Sequence, residues 1–285
     1  MKKIHLISYA DDTFVKAQQV QSLKAITLGF ARIIQLAKID LSANFRARNR
    51  ETLNLKRGAG YWIWKPAIIL DYSKTQDSDV NLLYLDSGCL PRKTELEFRE
   101  LISDNRIHLW TEGETPLRLW LDKGVIDALK VDEKFLDRPM VWAGAILARN
   151  SITLTRFAKM WLEMCEDPSL LRPETLPLYE KPKGLIWHRH DQSILSVIVR
   201  RHPEWFVVHG DHSETHGSEY YFDRSRTLRP RFLFFTLNFS RIRKIRRIVV
   251  NFMPSKARIF LRENKAKLER KNISNSEQES LRDFY

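Results

Sequence analysis

The chain has 285 residues, 43% hydrophobic and 29% charged, which is the balance of a folded protein able to bury a substantial core. No apolar run approaches the roughly 20 residues of a membrane-spanning helix, so no helical span is expected. Cys89 and Cys165 are the only cysteines; they provide neither a disulfide framework nor metal-ligand spacing, and they point to a reducing cytoplasm.

In chain order, residues 3–9 (KIHLISY) read as a mostly apolar strand of a sheet covered on both faces. Its apolar stretch ends at Asp11, too early for a secretory signal. Asp12 is placed to cap a helix whose apolar positions include Phe14, Ala17, Val20 and Leu23. Residues 30–36 read as the next strand, although their period also permits a helix, and a polar, basic helix or loop runs over 40–56. RGAGYWIWKP, residues 57–66, packs two glycines, three aromatics and a proline into one segment. NLLYLD (81–86) is a convincing buried strand stopped by Ser87-Gly88, and residues 94–102 suit a helix. Residues 104–138 give no ordered pattern. MVWAGAILAR (140–149) reads as a strand, Ser151 caps a helix through about Glu166, and residues 167–185 form a proline-rich loop. A helix follows from Asp191, then a short strand over 205–210. Strands alternating with helices argue an α/β protein.

The last part of the chain differs in charge. Residues 1–223 carry 31 Lys+Arg against 30 Asp+Glu, whereas residues 224–271 carry 16 against 2. Within that stretch Ile242, Ile245, Ile248, Val249 and Phe252 share one helical face, with Arg241, Arg243, Lys244, Arg246 and Arg247 on the remainder. Such a helix suits an anionic membrane surface. The expected organisation is a body over 1–223, a basic membrane-associating segment over 224–271 and a polar end over 272–285.

Five pieces could carry chemistry. Asp86, at the carboxyl end of a buried strand, is where open α/β sheets meet their ligands, and its carboxylate could hold Mg²⁺ or Mn²⁺ against a diphosphate. Ser87 and Gly88 complete that strand end. In the glycine-aromatic segment, Tyr61, Trp62 and Trp64 offer flat faces to a base or sugar, while Arg57 and Lys65 can pair with phosphates. Trp142 and the small pair Ala143-Gly144 mark a strand position open to close approach. His190, Asp191 and Gln192 stand at a helix start. The histidines after the last strand, His209 first and His212 next, are candidates to complete a metal site begun by Asp86.

Taken in order, YLDSG (84–88), WAGAILARN (142–150), HDQSILS (190–196) and VVHGD (207–211) resemble the motif layout of GT-A glycosyltransferases, closest to the glycogenin and lipopolysaccharide galactosyltransferase group. RGAGYWIWKP is similar to a segment of bacterial capsule and O-antigen glycosyltransferases. The resemblance covers roughly residues 1–216. It implies a GT-A-like, Rossmann-like, mostly parallel central sheet with flanking helices; the basic helical tail, read from its own composition, lies outside it. It further implies a nucleotide-sugar donor, UDP-linked, with a hexose such as galactose transferred to a lipid-linked or growing polysaccharide on the inner face of the cell membrane. Asp86 then takes the metal and nucleotide role. The others of its group (Ser87, Gly88, Arg57, Tyr61, Trp62, Trp64 and Lys65) bind the donor. Trp142, Ala143, Gly144 and His190 lie toward the acceptor or sugar, and Asp191 and Gln192 sit at the transferred sugar. Asp191 is then the general base if the reaction inverts, and the group that orients the sugar or stabilises developing positive charge if it retains. Gly88 stands where that family has its second Asp, so one metal ligand is missing. Two other classes remain: a nucleic-acid-binding protein or nuclease using the basic segment, and a catalytically inactive GT-A-like membrane scaffold. The first is disfavoured because the aromatics lie in the neutral body and the charge lies elsewhere.

Overall fold

A computed structural model describes residues 3–77, 80–211 and 221–224. From residue 225 on, the basic segment and the polar end expected above lie outside the described residues, as does His212.

The first elements are β1 (Ile4–Tyr9), α1 (Val15–Thr27) and β2 (Arg32–Leu36). The short helices α2 (Ala43–Arg48), α3 (Arg50–Leu53) and α4 (Gly58–Tyr61) then lead into α5 (Trp64–Thr75). The centre of the chain forms β3 (Asn81–Leu85), β4 (Cys89–Pro91), α6 (Glu95–Leu101), β5 (Ile107–Pro116), α7 (Lys123–Ala128), α8 (Glu133–Leu136) and β6 (Pro139–Arg149). The remainder is α9 (Ile152–Cys165), α10 (Pro168–Leu171), α11 (Asp191–Arg201), β7 (Phe206–Asp211) and β8 (Phe222–Arg224).

Six strands form one sheet in the order β2-β1-β3-β6-β5-β7. β1–β2, β1–β3 and β5–β7 pair in parallel, while β6 runs antiparallel to both β3 and β5. This is the mostly parallel α/β sheet that the alternation of elements predicts. β4 and β8 make a separate antiparallel pair. Because side chains alternate along a strand, β1 sends Ile4 and Leu6 to one core and Ile7 and Tyr9 to the other. β3 divides likewise, Leu83 and Leu85 against Leu82 and Tyr84. Burial on both faces is why these strands read as continuous apolar runs. The larger core lies under α5, α9 and α11, where Trp161 stacks on Phe157 at 5.5 Å.

Several helix starts follow from sequence. The Ser151 hydroxyl accepts the Leu154 N–H, and Thr94 with Glu97 closes a capping box on α6. Two readings are corrected. Asp11, not Asp12, receives the N–H groups at the entrance to α1, at 3.0 Å from Thr13 and 3.2 Å from Phe14. The patternless stretch 104–138 contains β5, a ten-residue strand paired on both sides within the sheet. Its alternation is broken by register shifts against both neighbours, which removes the period that sequence reading depends on.

Candidate active site

The chain leaves β1 for β2 on one side, and from β3 it moves on toward β5 on the other, so the connections from the carboxyl ends of these adjacent strands run in opposite directions. Open α/β sheets bind ligands in the crevice such a switch creates. A cleft of about 700 Å³ opens there, lined by Tyr9 and Asp11 from the end of β1 and by Asp86, Ser87, Gly88 and Cys89 from the end of β3.

Asp86 is held by a turn pinned from several directions. Its N–H donates to the Gly144 carbonyl at 2.8 Å, and its carbonyl accepts from Gln21 Nε2 at 2.7 Å and from the Cys89 N–H at 2.9 Å. The Ser87 hydroxyl donates to the Tyr9 carbonyl, tying the ends of β1 and β3 together. The Asp86 side chain remains 30% exposed.

On the cleft floor one lysine bridges two carboxylates. Lys65 Nζ lies 3.1 Å from Asp86 Oδ1 and 3.4 Å from Asp191 Oδ2, and it donates to Asp86 Oδ2 and to the Ala143 carbonyl, each at 3.3 Å. Lys65 and Asp191 are each only 3% exposed. Burial favours the neutral amine, but the Asp191 and Asp86 charges outweigh it and hold Lys65 above the ordinary lysine range, so it is an ammonium. Burial pushes the Asp191 carboxyl up to about 7; Lys65 opposes that rise and the negative charge of Asp86 adds to it. Asp191 Oδ2 has no aligned hydrogen-bond donor, so its contact with Lys65 is an ion pair that leaves an acceptor unfilled. The Tyr84 hydroxyl donates to Asp86 Oδ1 at 2.6 Å, and burial followed by the Asp86 charge keeps that phenol protonated.

Asp191 opens α11, but the capping position belongs to His190. His190 sits at φ 54, ψ −121, a strained backbone for a residue with a side chain. Its surroundings hold it there. Its Nδ1 bonds the Leu171 carbonyl at 2.8 Å and its Nε2 accepts from Arg57 Nε at 2.8 Å, which assigns the neutral Nδ1–H tautomer. Burial, reinforced by His188, lowers its pKa to about 3. Arg57 is further fixed by stacking on Trp187, 4.4 Å from the ring centroid.

The wall between Arg57 and Lys65 is the glycine-aromatic segment. Five successive residues, Gly58 to Trp62, have positive φ. Ala59 (φ 50) and Gly60 (φ 102) form the middle of this left-handed turn. A side chain at Gly60 would come within 2.9 Å of the Leu53 backbone, and one at Gly58 would strike the Trp62 ring at 2.4 Å. The turn lays Trp62 beside His190, rings stacked at 5.8 Å, and sets Trp64 on Tyr9 at 4.0 Å.

Most of the residues singled out from sequence therefore meet. Arg57, Trp62, Trp64, Lys65, Asp86, Ser87, Gly88, Trp142, His190, Asp191 and Gln192 all line the cleft. Tyr61 does not; it is buried edge-on against His190. Ala143 and Gly144 do not line it either: Ala143 contributes only its carbonyl, and the Trp142 ring fills the place where a Gly144 side chain would be, 2.2 Å from it. Gln192 is held by Glu112 at 2.5 Å. Sequence reading missed Trp120, Trp187 and Arg189, the last stacked on Trp120 at 4.4 Å. The basic, aromatic run just before Asp191 was the signal for two of them.

His209 corrects the expected metal pairing. It lies on β7 beside β5, with Nε2 3.1 Å from His108 Nδ1 and its ring 5.0 Å from Trp110, and it is not among the cleft residues. Among the described residues, no three His, Cys, Asp or Glu side chains converge as a metal site would require. The position between Asp86 and Asp191 does not fit a divalent ion. The charge between Asp86 and Asp191 is already supplied by the Lys65 ammonium, and two unit charges of like sign 4 Å apart repel by about 4 kcal/mol near a protein surface, a dication by twice that.

No protein-family model matches the sequence, and no curated protein matches it. Among solved structures, the chain is similar to a glycosyltransferase involved in the glycosylation of the major capsid of PBCV-1: TM-score 0.44, 14% identity, covering 74% of this chain and 82% of that one. It is similar to mouse xyloside xylosyltransferase 1, with TM-score 0.42, 11% identity and 73% and 85% covered. It is also similar to the galactosyltransferase LgtC, solved with donor and acceptor sugar analogs, with TM-score 0.40, 15% identity and 72% of each chain covered.

Proposed function

We propose that the protein is a glycosyltransferase that moves a hexosyl group from a nucleoside-diphosphate sugar to an acceptor hydroxyl. The observation that carries the reading is the convergence of Asp86, Lys65 and Asp191 on the floor of one aromatic-walled cleft at the sheet's switch point. A volume of about 700 Å³ suits a ligand the size of a nucleotide sugar. Aromatic faces at Trp62, Trp64 and Trp187 suit a base and a sugar, and Lys56, Arg57 and Arg189 supply positive charge for a diphosphate.

In this reading the acceptor oxygen attacks the anomeric carbon while Asp191 takes its proton. The bond from that carbon to phosphate breaks, and the electron pair leaves on the nucleoside diphosphate. A buried carboxyl with a pKa near 7 is poised for that transfer. The sequence resemblance supports a UDP-hexose donor and a lipid-linked or polysaccharide acceptor. The amphipathic, basic pattern of residues 224–271 supports docking on an anionic surface; among the described residues no helix is long and apolar enough to cross a membrane.

A thermal-shift panel of UDP, GDP, CMP and TDP tests the reading. One nucleotide should raise the melting temperature, by an amount that grows with its concentration. Indifference to all four would remove the proposal.

A further inference from the structure

We infer that Lys65 replaces the divalent cation at the donor diphosphate, so that nucleotide binding and transfer proceed without metal. This rests on the glycosyltransferase reading above and goes against the metal site that the sequence resemblance implies. Three observations carry it.

The first is position. The ammonium lies within 3.4 Å of both carboxylates of the cleft floor and of the Ala143 carbonyl. That is where a cation serving Asp86 and Asp191 together must sit.

The second is permanence. Lys65 lies in the first turn of α5, directly before Pro66, whose fixed φ stiffens that turn. Trp64 beside it is anchored by stacking on Tyr9 and by its Nε1–H to the Gly58 carbonyl at 3.0 Å. The lysine side chain is 4% exposed, and its ammonium is already held against Asp86, Asp191 and the Ala143 carbonyl.

The third is the donor set. Gly88 lines the cleft without a side chain, and His209 is engaged with His108 and Trp110. Among the described residues Asp86 is the sole exposed carboxylate at the end of β3, and it already accepts from Lys65 and from the Tyr84 hydroxyl; Asp11, which also lines the cleft, accepts the Thr13 and Phe14 N–H groups.

The lysine's charge is also released at the right moment. Before reaction it is shared between two carboxylates. As Asp191 takes the acceptor's proton it becomes neutral, and the electron pair of the broken glycosyl bond places one more negative charge on the departing diphosphate. Lys65 then has one carboxylate partner fewer and one new anion in the same cleft. A fixed ammonium accomplishes this without a dissociable ion.

Titration calorimetry on the full chain tests the inference with UDP, GDP, CDP and dTDP, in EDTA and in millimolar Mn²⁺. The nucleotide that binds should do so with dissociation constants within about threefold in the two conditions. Lys65→Met should weaken it by about 100-fold, unrescued by Mn²⁺. Tightening of the wild type by tenfold or more on adding Mn²⁺ overturns the inference and leaves the glycosyltransferase reading standing. Binding of no nucleotide in either condition takes down that reading and the inference with it. Should Lys65→Met not fold, as circular dichroism would show, the wild-type metal comparison decides.

Discussion

Asp191 has an unusual carboxyl, and its titration makes two predictions of opposite sense. Its folded pKa of about 7 lies above the ordinary carboxylate value near 3.8. As a base it must be ionised, so kcat/KM should rise with pH through about 7 and level off above. A flat profile between about pH 5.5 and 8.5 would remove Asp191 from that role. For stability the sign reverses. Between the unfolded and folded values the native state holds the extra proton, so this group's stabilising contribution is complete below the unfolded pKa and is lost as pH rises through about 7. Asn imitates the protonated form. Asp191→Asn should therefore cut transfer by about 100-fold or more, and its melting temperature relative to wild type should improve from pH 5 to pH 8. Asp191 was legible in sequence as the first residue of a helix. Its partnership with Lys65 was not, because the bridge joins residues 65, 86 and 191. A lysine inside the apolar run WIWKPAIIL was the available hint, since a buried charge demands a partner.

At the level of elements, the left-handed turn over residues 58–62 sets the cleft wall, and its glycines can be ranked by what each must avoid. Gly60→Ala combines φ +102 with a Leu53 backbone contact at 2.9 Å. It should cost about 1–3 kcal/mol in urea unfolding. Gly184→Ala is the control: it shares a positive φ (+88) but meets nothing within 4 Å, so it should cost only the backbone strain, about 1–2 kcal/mol, and less than Gly60→Ala. Gly144→Ala would push the Trp142 ring from its place at the cleft. It should weaken nucleotide binding and change tryptophan fluorescence; unaltered affinity would show that Trp142 is not part of the binding wall. The crowding of glycines and aromatics over 57–66 announced a special backbone. Which ring would face the cleft was decided by packing: Trp62 and Trp64 do, and Tyr61 turns inward against His190.

Across the whole molecule, charge is divided between a nearly neutral body and a basic segment over residues 224–271. If that segment docks the protein on anionic lipid, changing Arg241, Arg243, Lys244, Arg246 and Arg247 to Gln should remove about 1 kcal/mol of vesicle binding per residue, with a weaker salt dependence. Nucleotide binding should be unchanged. Cosedimentation with vesicles rich in phosphatidylserine measures the first and calorimetry the second. Binding of duplex or single-stranded nucleic acid in preference to vesicles would reverse the assignment.

Local pattern and composition by themselves determined the α/β class, the strands at 3–9, 81–86 and 140–149, and the placement of Asp86 and Asp191 at element ends. These depend on residues near one another in the chain, where alternation and capping leave a direct signature. Only the tertiary structure decided that β6 runs antiparallel and that β5 joins the sheet interior. It alone set His209 against His108 and placed an ammonium between the two carboxylates. Each of those is a contact between residues far apart in sequence, selected by burial and charge compensation in three dimensions, and no local period records it.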